Sequence, residues 1–133
     1  MQSTLPVVAI VDDNEIHRYT LAVELARAGF SVVEADSGAS AIRLVRAIRP
    51  TVAMIDVNMP DMDGFEICRQ IKRDSILQKT AVVIHTAVAD LRDTRERGQH
   101  AGASAVFCYP VETQELLQSI RKFVQPTTIS MAV

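Results

Sequence analysis

The sequence predicts an α/β domain in which a parallel β-sheet is covered by helices on both faces. Short apolar runs of strand length alternate with longer segments of helical periodicity, about five times along the chain. Several of these runs are apolar throughout, which is typical of strands buried on both sides. Acidic residues directly follow two of the runs, Asp12 and Asp13 after the first and Asp56 after the third. Together these patterns indicate a sheet with a polar site at one edge.

The first two strand–helix units are bounded by capping and stop residues. Asn14 can cap the first helix, and Gly29 ends it. The second strand is more polar than the others, which favours a position toward an edge of the sheet. Ser37 can cap the second helix, and Pro50 ends it. Apolar positions recur at helical spacing in both helices: Ile16, Thr20, Leu21, Leu25 and Ala28 in the first, and Ala41, Leu44, Val45 and Ile48 in the second.

The remaining three units follow the same alternation. A helix is predicted from about Gly64 to Arg73, after a polar loop. A polar helix from about Asp90 to His100 contains Gly98, which weakens it by up to ~1 kcal/mol relative to alanine. A closing helix runs from Glu112 to Val124. The inward residues are predicted to be Phe65, Ile67, Cys68 and Ile71 in the third helix, and Leu116, Leu117, Ile120 and Phe123 in the last.

Right-handed crossovers between these units give a flavodoxin-like (βα)5 fold with strand order 2-1-3-4-5. In that order the first and third strands are neighbours, so Asp12, Asp13 and Asp56 meet in one pocket at the carboxyl edge of the sheet. The strands are predicted at Val7 to Val11, Ser31 to Ala35, Val52 to Ile55, Ala81 to His85 and Ala105 to Cys108.

Length and composition limit the function classes. The 133 residues are expected to form one domain over residues 1–125, followed by a tail or truncated linker at residues 126–133. The net charge of −2 gives no basic footprint for direct nucleic-acid binding, and no apolar run approaches the ~20 residues of a membrane span. The sequence shows no secretion signal, and Cys68 and Cys108 have no paired spacing and are expected to be buried. These features favour a cytoplasmic protein.

Three clustered carboxylates repel one another, which raises their proton affinity and favours a hard divalent cation such as magnesium (Mg²⁺).

Taken separately, the individual polar residues are weak indications of a functional site. The Asp12-Asp13 pair could be only helix-capping charge, and Thr86 could be an ordinary strand-end hydroxyl. Asp61 and Asp63 are predicted to be solvated loop residues. The three histidines, His17, His85 and His100, have no mutual spacing that indicates a metal site and are predicted to be incidental.

The ordered set of motifs resembles the receiver domain of two-component response regulators, over residues about 6 to 124. The motifs are Asp12-Asp13, Asp56, the loop Asn58-Met59-Pro60-Asp61-Met62-Asp63-Gly64, and Thr86-Ala87. The resemblance implies that Asp56 accepts a phosphoryl group from a histidine kinase or phosphotransfer protein, and that the domain is a switch rather than an enzyme. It also implies a Mg²⁺ site in which Asp13, Asp56 and the carbonyl of Asn58 are direct ligands and Asp12 acts through water. Thr86 is then expected to contact the phosphoryl group, and Ala87 to leave the pocket open.

The chain departs from the family pattern at two positions. Receivers usually carry a lysine before the proline that follows the fifth strand, and here Tyr109 precedes Pro110. A phenol can donate a hydrogen bond but supplies no charge. The family's switch aromatic is replaced by Val106, while Phe107 is expected to point to the opposite face of the sheet.

Two hypotheses follow from these departures. In the favoured one, Asp56 is still phosphorylated and output coupling is altered, with Tyr109 serving as the moving aromatic. In the other, the domain is a degenerate receiver that binds a partner independently of phosphate. A phosphatase of the haloacid dehalogenase type is disfavoured because Asn58 stands where a second Asp is needed. A flavodoxin-like FMN carrier is disfavoured because the acidic residues after the first strand would repel a phosphate.

The expected output surface is the face formed by helix 4, strand 5 and helix 5, on a monomer or weak dimer. Charged residues on this face could equally be a solvated surface. They are Arg92, Arg95, Glu96, Arg97, Glu112, Glu115, Arg121 and Lys122.

Overall fold

The computed structural model describes residues 5–87, 90–109 and 111–124. It contains a five-stranded parallel sheet of order β2-β1-β3-β4-β5, which confirms the predicted topology. The strands are β1 (Val7–Val11), β2 (Ser31–Ala35), β3 (Val52–Asp56), β4 (Ala81–Thr86) and β5 (Ala105–Cys108). The helices are α1 (Glu15–Arg27), α2 (Gly38–Ile48), α3 (Gly64–Arg73), α4 (Leu91–Ala101) and α5 (Thr113–Val124).

Local capping explains where the first two helices begin and end. The Asn14 side chain accepts a hydrogen bond from the His17 N–H, and the Ser37 hydroxyl accepts one from the Ser40 N–H. Gly29, just past α1, has a φ of 99°, which glycine adopts without the steric cost that a Cβ imposes. α2 ends one residue before Arg49, whose φ is 53°. The predicted caps are therefore confirmed.

The sheet separates two apolar layers because successive strand side chains point to opposite faces. One layer packs against α2, α3 and α4, and the other against α1 and α5. Val106 and Phe107 contact opposite layers, as predicted.

Three residues predicted to face inward from the helices are exposed. Ile16 is 78% exposed and Ile48 is 44% exposed, because each lies in a terminal helical turn where neighbouring elements give little cover. Thr20 is exposed on α1, where its hydroxyl donates to the Ile16 carbonyl. Cys68 is buried as predicted, but Cys108, on β5, is only half-buried.

None of the helices in the described part of the chain has the length and apolar character that a bilayer span requires. Pro110 and the predicted tail lie outside the described residues.

Candidate functional site

Three carboxylates meet at the carboxyl edge of the sheet, where β1 and β3 run side by side. Asp12 and Asp13 follow β1, and Asp56 is the last residue of β3. One carboxylate oxygen from each of the three lies within 4.8 Å of the others. The predicted clustering of these residues is therefore observed.

Burial divides the three carboxylates. Asp12 is fully buried, Asp56 is half-buried and Asp13 is exposed. Burial, and to a smaller extent the neighbouring charges of Asp12 and Asp13, raise the pKa of Asp56 to about 6. The N–H of Asn58 donates a hydrogen bond to Asp56 Oδ1 at 3.2 Å, which opposes the rise in pKa. The protein alone therefore gives little compensation for the negative charge of the Asp56 carboxylate.

This arrangement fits a hard cation. The grouped donors are all carboxylate oxygens, which Mg²⁺ prefers, and the exposed side leaves room for the waters that it retains. A cation there would offset the mutual repulsion that, after burial, contributes to the raised pKa of Asp56. The donor chemistry is therefore compatible with the magnesium site that the sequence predicts.

The loop after β3 is held tightly against Asp56. A Cβ added to Gly64 would lie 2.2 Å from the Asp56 carbonyl oxygen, so only glycine fits at this close approach. Asp61 accepts hydrogen bonds from the N–H groups of Gly38 and Ala39 at the start of α2, which lowers its pKa.

Asp63 also has a defined structural role in this loop. It caps α3 by accepting from the Phe65 N–H, and it pairs with Arg97 on α4 at 3.4 Å. Asp61 and Asp63 are both exposed, as predicted for loop residues. Their anchoring of the loop to three helices was not predicted.

The opposite wall of the site is formed by the end of β4. Thr86 is 1% exposed and Ala87 follows it at the surface. The N–H of Tyr109 donates to the Thr86 carbonyl at 2.8 Å, which carries the pairing of β4 and β5 to the rim of the pocket. A cavity of about 430 Å³ is lined by Asp12, Asp13, Asn14, His17, Asp56, Asn58, His85, Thr86, Ala87 and Tyr109.

Two histidines and a tyrosine pack together beside the carboxylates. The rings of His17 and Tyr109 meet edge to face with centroids 4.5 Å apart, and the Tyr109 hydroxyl lies 3.4 Å from His85 Nδ1. His17 Nδ1 pairs with Asp12 Oδ2. The prediction that the histidines are incidental is wrong for His17 and His85, whereas His100 is an exposed residue of α4.

Burial also sets the ionisation of this second group. Full burial lowers the pKa of His85 to about 4, and the charge of Asp12 only partly opposes this. Burial and the nearby Asp12 and Asp56 raise the pKa of the Tyr109 hydroxyl, which therefore stays protonated. His85 and Tyr109 are thus neutral at pH 7.

No lysine lines the cavity among the described residues. Lys72 lies at the other end of the sheet, where its Nζ donates to the carbonyls of Gln78 and Thr80. Lys79 and Lys122 are exposed residues outside the site. Tyr109 therefore occupies the wall of the pocket without a compensating lysine in the described chain.

Position within the motifs gives the only sequence signal for the two histidines. His17 lies four residues after Asp13, in the first turns of α1, and His85 directly precedes Thr86. α1 begins at the acidic edge and β4 ends there, so both histidines lie close to that edge. Spacing between the histidines carries no such information, since the sheet brings them together.

The fold and the acidic edge define a class of α/β domain that is suited to holding a cation beside a half-buried carboxylate. A family model described as the response regulator receiver domain matches residues 8–121. The chain therefore belongs to the family of response regulator receiver domains. Members of this family are phosphorylated on an aspartate and use Mg²⁺.

Individual relatives agree with this assignment. Protein PilH of Pseudomonas aeruginosa is 31% identical over 113 residues, which cover 85% of this chain and 93% of PilH. Response regulator MprA of Mycolicibacterium vanbaalenii is 34% identical over 125 residues, which cover 93% of this chain and 53% of MprA. The structure of the chemotaxis protein CheY4 of Vibrio cholerae superimposes with a TM-score of 0.83 at 26% identity, covering 91% of this chain and 100% of that one.

Coverage differs among these relatives. The chain spans about half the length of several curated relatives that it matches, including 51% of the transcriptional regulator RpaA of Synechocystis. The family assignment rests on residues 8–121, which the receiver-domain model matches.

Proposed function

We propose that Asp56 is the phosphoacceptor of this receiver domain and that it takes the phosphoryl group from a phosphohistidine of a histidine kinase or phosphotransfer protein. The observation that carries the proposal is the half-buried Asp56 carboxylate beside two further carboxylates and the buried Thr86. On this proposal the domain signals by conformational change. Its own chemistry is limited to accepting and releasing the phosphoryl group.

The transfer is a single displacement at phosphorus. A carboxylate oxygen of Asp56 forms the new O–P bond while the N–P bond to the donor imidazole breaks, and the donor keeps the bonding electrons. Because a carboxylate is a weak nucleophile, the protein contributes mainly by positioning and by stabilising charge. The burial and neighbouring charges that raise the Asp56 pKa also make its oxygen more basic than that of an ordinary aspartate.

Four groups would hold a bound Mg²⁺: Asp13, Asp56 and the Asn58 carbonyl directly, and Asp12 through water. The ion would neutralise negative charge on the transferring phosphoryl oxygens. The Thr86 hydroxyl would donate to one of those oxygens, and the small Ala87 side chain would leave space for the group. Tyr109 would donate its hydroxyl to another oxygen after turning away from His85, at the position where receivers carry lysine.

The alternative function is a degenerate receiver that binds its partner without phosphate. Tyr109 and Val106 favour it, because the pocket has no lysine charge among its described residues and no aromatic at the usual switch position. The complete acidic edge favours the phosphorylated switch instead. Phosphorylation therefore separates the two functions.

The test is incubation with acetyl phosphate and Mg²⁺, followed by intact-mass measurement. We expect one phosphoryl adduct in the wild-type protein and none in Asp56→Asn. Asp36→Asn is the matched control, because Asp36 is an exposed carboxylate that follows β2 at the same edge of the sheet. An adduct that is absent from wild type, or that persists in Asp56→Asn, would overturn the assignment of Asp56.

The proposal also assigns a surface to each partner of the domain. A histidine kinase or phosphotransfer protein would approach the acidic edge, and the output partner would bind the α4–β5–α5 face of a cytoplasmic monomer or weak dimer. Sedimentation with and without acetyl phosphate tests the oligomeric state. A stable dimer in both conditions would contradict it.

A further inference from the structure

We propose that Asp12, His17 and His85 form a binding site for a borderline divalent transition-metal ion such as Zn²⁺. One ligand atom from each of these side chains lies within 4.8 Å of the other two. The site shares Asp12 with the carboxylate cluster but adds two imidazoles to it. It does not depend on phosphorylation of Asp56.

The ligand types select the class of metal. Imidazole nitrogen suits zinc, copper and nickel, whereas Mg²⁺ prefers oxygen ligands and retains its waters. Two histidines and one carboxylate are a ligand set typical of zinc sites that keep a fourth position open for water. The Asp12, His17 and His85 set is therefore chemically distinct from the all-oxygen set formed by Asp12, Asp13 and Asp56.

His85 provides a second and independent observation. Its ring is fully buried, and Nε2 has no hydrogen-bond partner among the described residues. Buried polar atoms without a partner are uncommon, because leaving one unpaired costs free energy. Nδ1 already has the Tyr109 hydroxyl at 3.4 Å, so Nε2 is the nitrogen that a bound metal ion would satisfy.

Geometry requires only a local adjustment. Zinc–nitrogen and zinc–oxygen bonds of about 2.0–2.2 Å place tetrahedral ligand atoms about 3.4 Å apart. Ligand atoms that now lie up to 4.8 Å apart would close by up to about 1.4 Å, whereas His17 Nδ1 and Asp12 Oδ2, already in contact, would open to this spacing. His17 can supply this movement, because it lies in the first turns of α1 and its side chain is 34% exposed.

Occupation of this site would affect the rest of the pocket. Asp12 cannot serve both ligand sets in the same way, so the transition metal would compete with Mg²⁺. Tyr109 packs against His17 and contacts His85, so its ring would have to adjust as the ligands close. Zn²⁺ would then act as an antagonist of Mg²⁺ at this edge of the sheet.

The experiment uses the full chain and the metals alone. Binding of Zn²⁺ is measured by calorimetry, and Co²⁺ serves as a spectroscopic substitute whose visible absorption reports tetrahedral coordination. We expect one ion per chain, tetrahedral Co²⁺ bands, and at least a tenfold loss of Zn²⁺ affinity in His17→Gln and in His85→Leu.

The matched control is His100→Gln, which removes an exposed histidine from α4 and should leave Zn²⁺ affinity unchanged. His17→Gln keeps the test decisive if His85→Leu is poorly folded, because His17 is partly exposed. Unchanged Zn²⁺ affinity in His17→Gln would overturn the proposal. So would octahedral Co²⁺ bands, which indicate the carboxylate set, or a thiolate charge-transfer band, which indicates Cys68 or Cys108.

Discussion

The pocket at the carboxyl edge of the sheet has two halves that differ in the charge of their side chains. The first half holds Asp12, Asp13 and Asp56, and burial together with the repulsion among them raises the pKa of Asp56 to about 6. The second half holds His85 and Tyr109, which are buried or half-buried and are kept neutral by their surroundings. The first half is therefore arranged to attract a cation. The second half offers hydrogen bonds, and no lysine lines it among the described residues.

On the proposed function, the first half of the pocket would form an acyl phosphate and the second half would detect it. The first task needs the carboxylates and a cation, and the described residues supply the carboxylates. The second needs a group that moves when the phosphoryl oxygens arrive, and here the available groups are a phenol and two imidazoles. Four predictions test whether the two halves behave independently.

The largest expected effect concerns the neutrality of His85. Its folded-state pKa of about 4 lies below the ordinary value of 6.5, so the unfolded chain binds the proton more readily. His85 therefore contributes stability above about pH 6.5 that is lost as the pH falls through about 4. That loss corresponds to about 3 kcal/mol of unfolding free energy.

Urea unfolding between about pH 7.5 and about pH 4 measures this loss. The variant His85→Leu, which has no titrating ring, should lose less stability over this range than the wild-type protein. The control His100→Gln should follow the wild type. If His85→Leu and wild type lose equal stability, the ring is not held neutral by burial.

The second prediction concerns the cation-attracting half. Asp13→Asn removes a carboxylate from the exposed side of the cluster, so Mg²⁺ affinity should fall at least ~10–100-fold, the loss seen even when outer partners of metal ligands are removed. Calorimetric titration with Mg²⁺ measures this. Asp36→Asn should bind Mg²⁺ as wild type does. An unchanged affinity in Asp13→Asn would place the ion elsewhere.

The third prediction restores the charge that the second half lacks. Tyr109→Lys would place an ammonium group where the phenol now lies, and charge-assisted hydrogen bonds are roughly twice as strong as neutral ones. The phosphorylated fraction at a fixed low concentration of acetyl phosphate should rise by about tenfold. Tyr19→Lys is the matched control, because Tyr19 is 67% exposed on α1. A decrease in Tyr109→Lys alone would mean that the phenol itself is required.

The smallest expected effect is on stability in the first half. The folded pKa of Asp56 is raised above its usual 3.8, so ionisation costs stability as the pH rises through about 6. Without metal, Asp56→Asn should stabilise the protein by about 1 kcal/mol at neutral pH, a value reduced for the partial exposure of this carboxylate. The gain should disappear near pH 4, and thermal unfolding at both pH values measures it. Equal gains at the two pH values would contradict the raised pKa of Asp56.

Much of the fold could be predicted because its signals are local. Asn14 and Ser37 cap helices through their own side chains, and the apolar run before Asp56 is long enough to identify a buried strand. The meeting of Asp12 and Asp56 followed from strand order alone, since the carboxyl ends of neighbouring parallel strands lie together.

The histidines could not be predicted in this way. His17 belongs to α1 and His85 to β4, and their contact with Tyr109 depends on side-chain directions across three elements. The anchoring of Asp61 to the start of α2 escaped prediction for the same reason, because its partners lie more than twenty residues away. Neither the contact of the histidines with Tyr109 nor the bonding of Asp61 to α2 produces a periodic pattern in the sequence.

The placement of Tyr109 gives the protein an intrinsic optical probe. The chain has no tryptophan and two tyrosines, so its near-ultraviolet emission comes from Tyr19 and Tyr109 alone. Tyr19 is exposed to solvent, whereas Tyr109 lies against two imidazoles at the rim of the acidic pocket. A change in emission on adding a metal ion or a phosphodonor can therefore be assigned to a single side chain without any label.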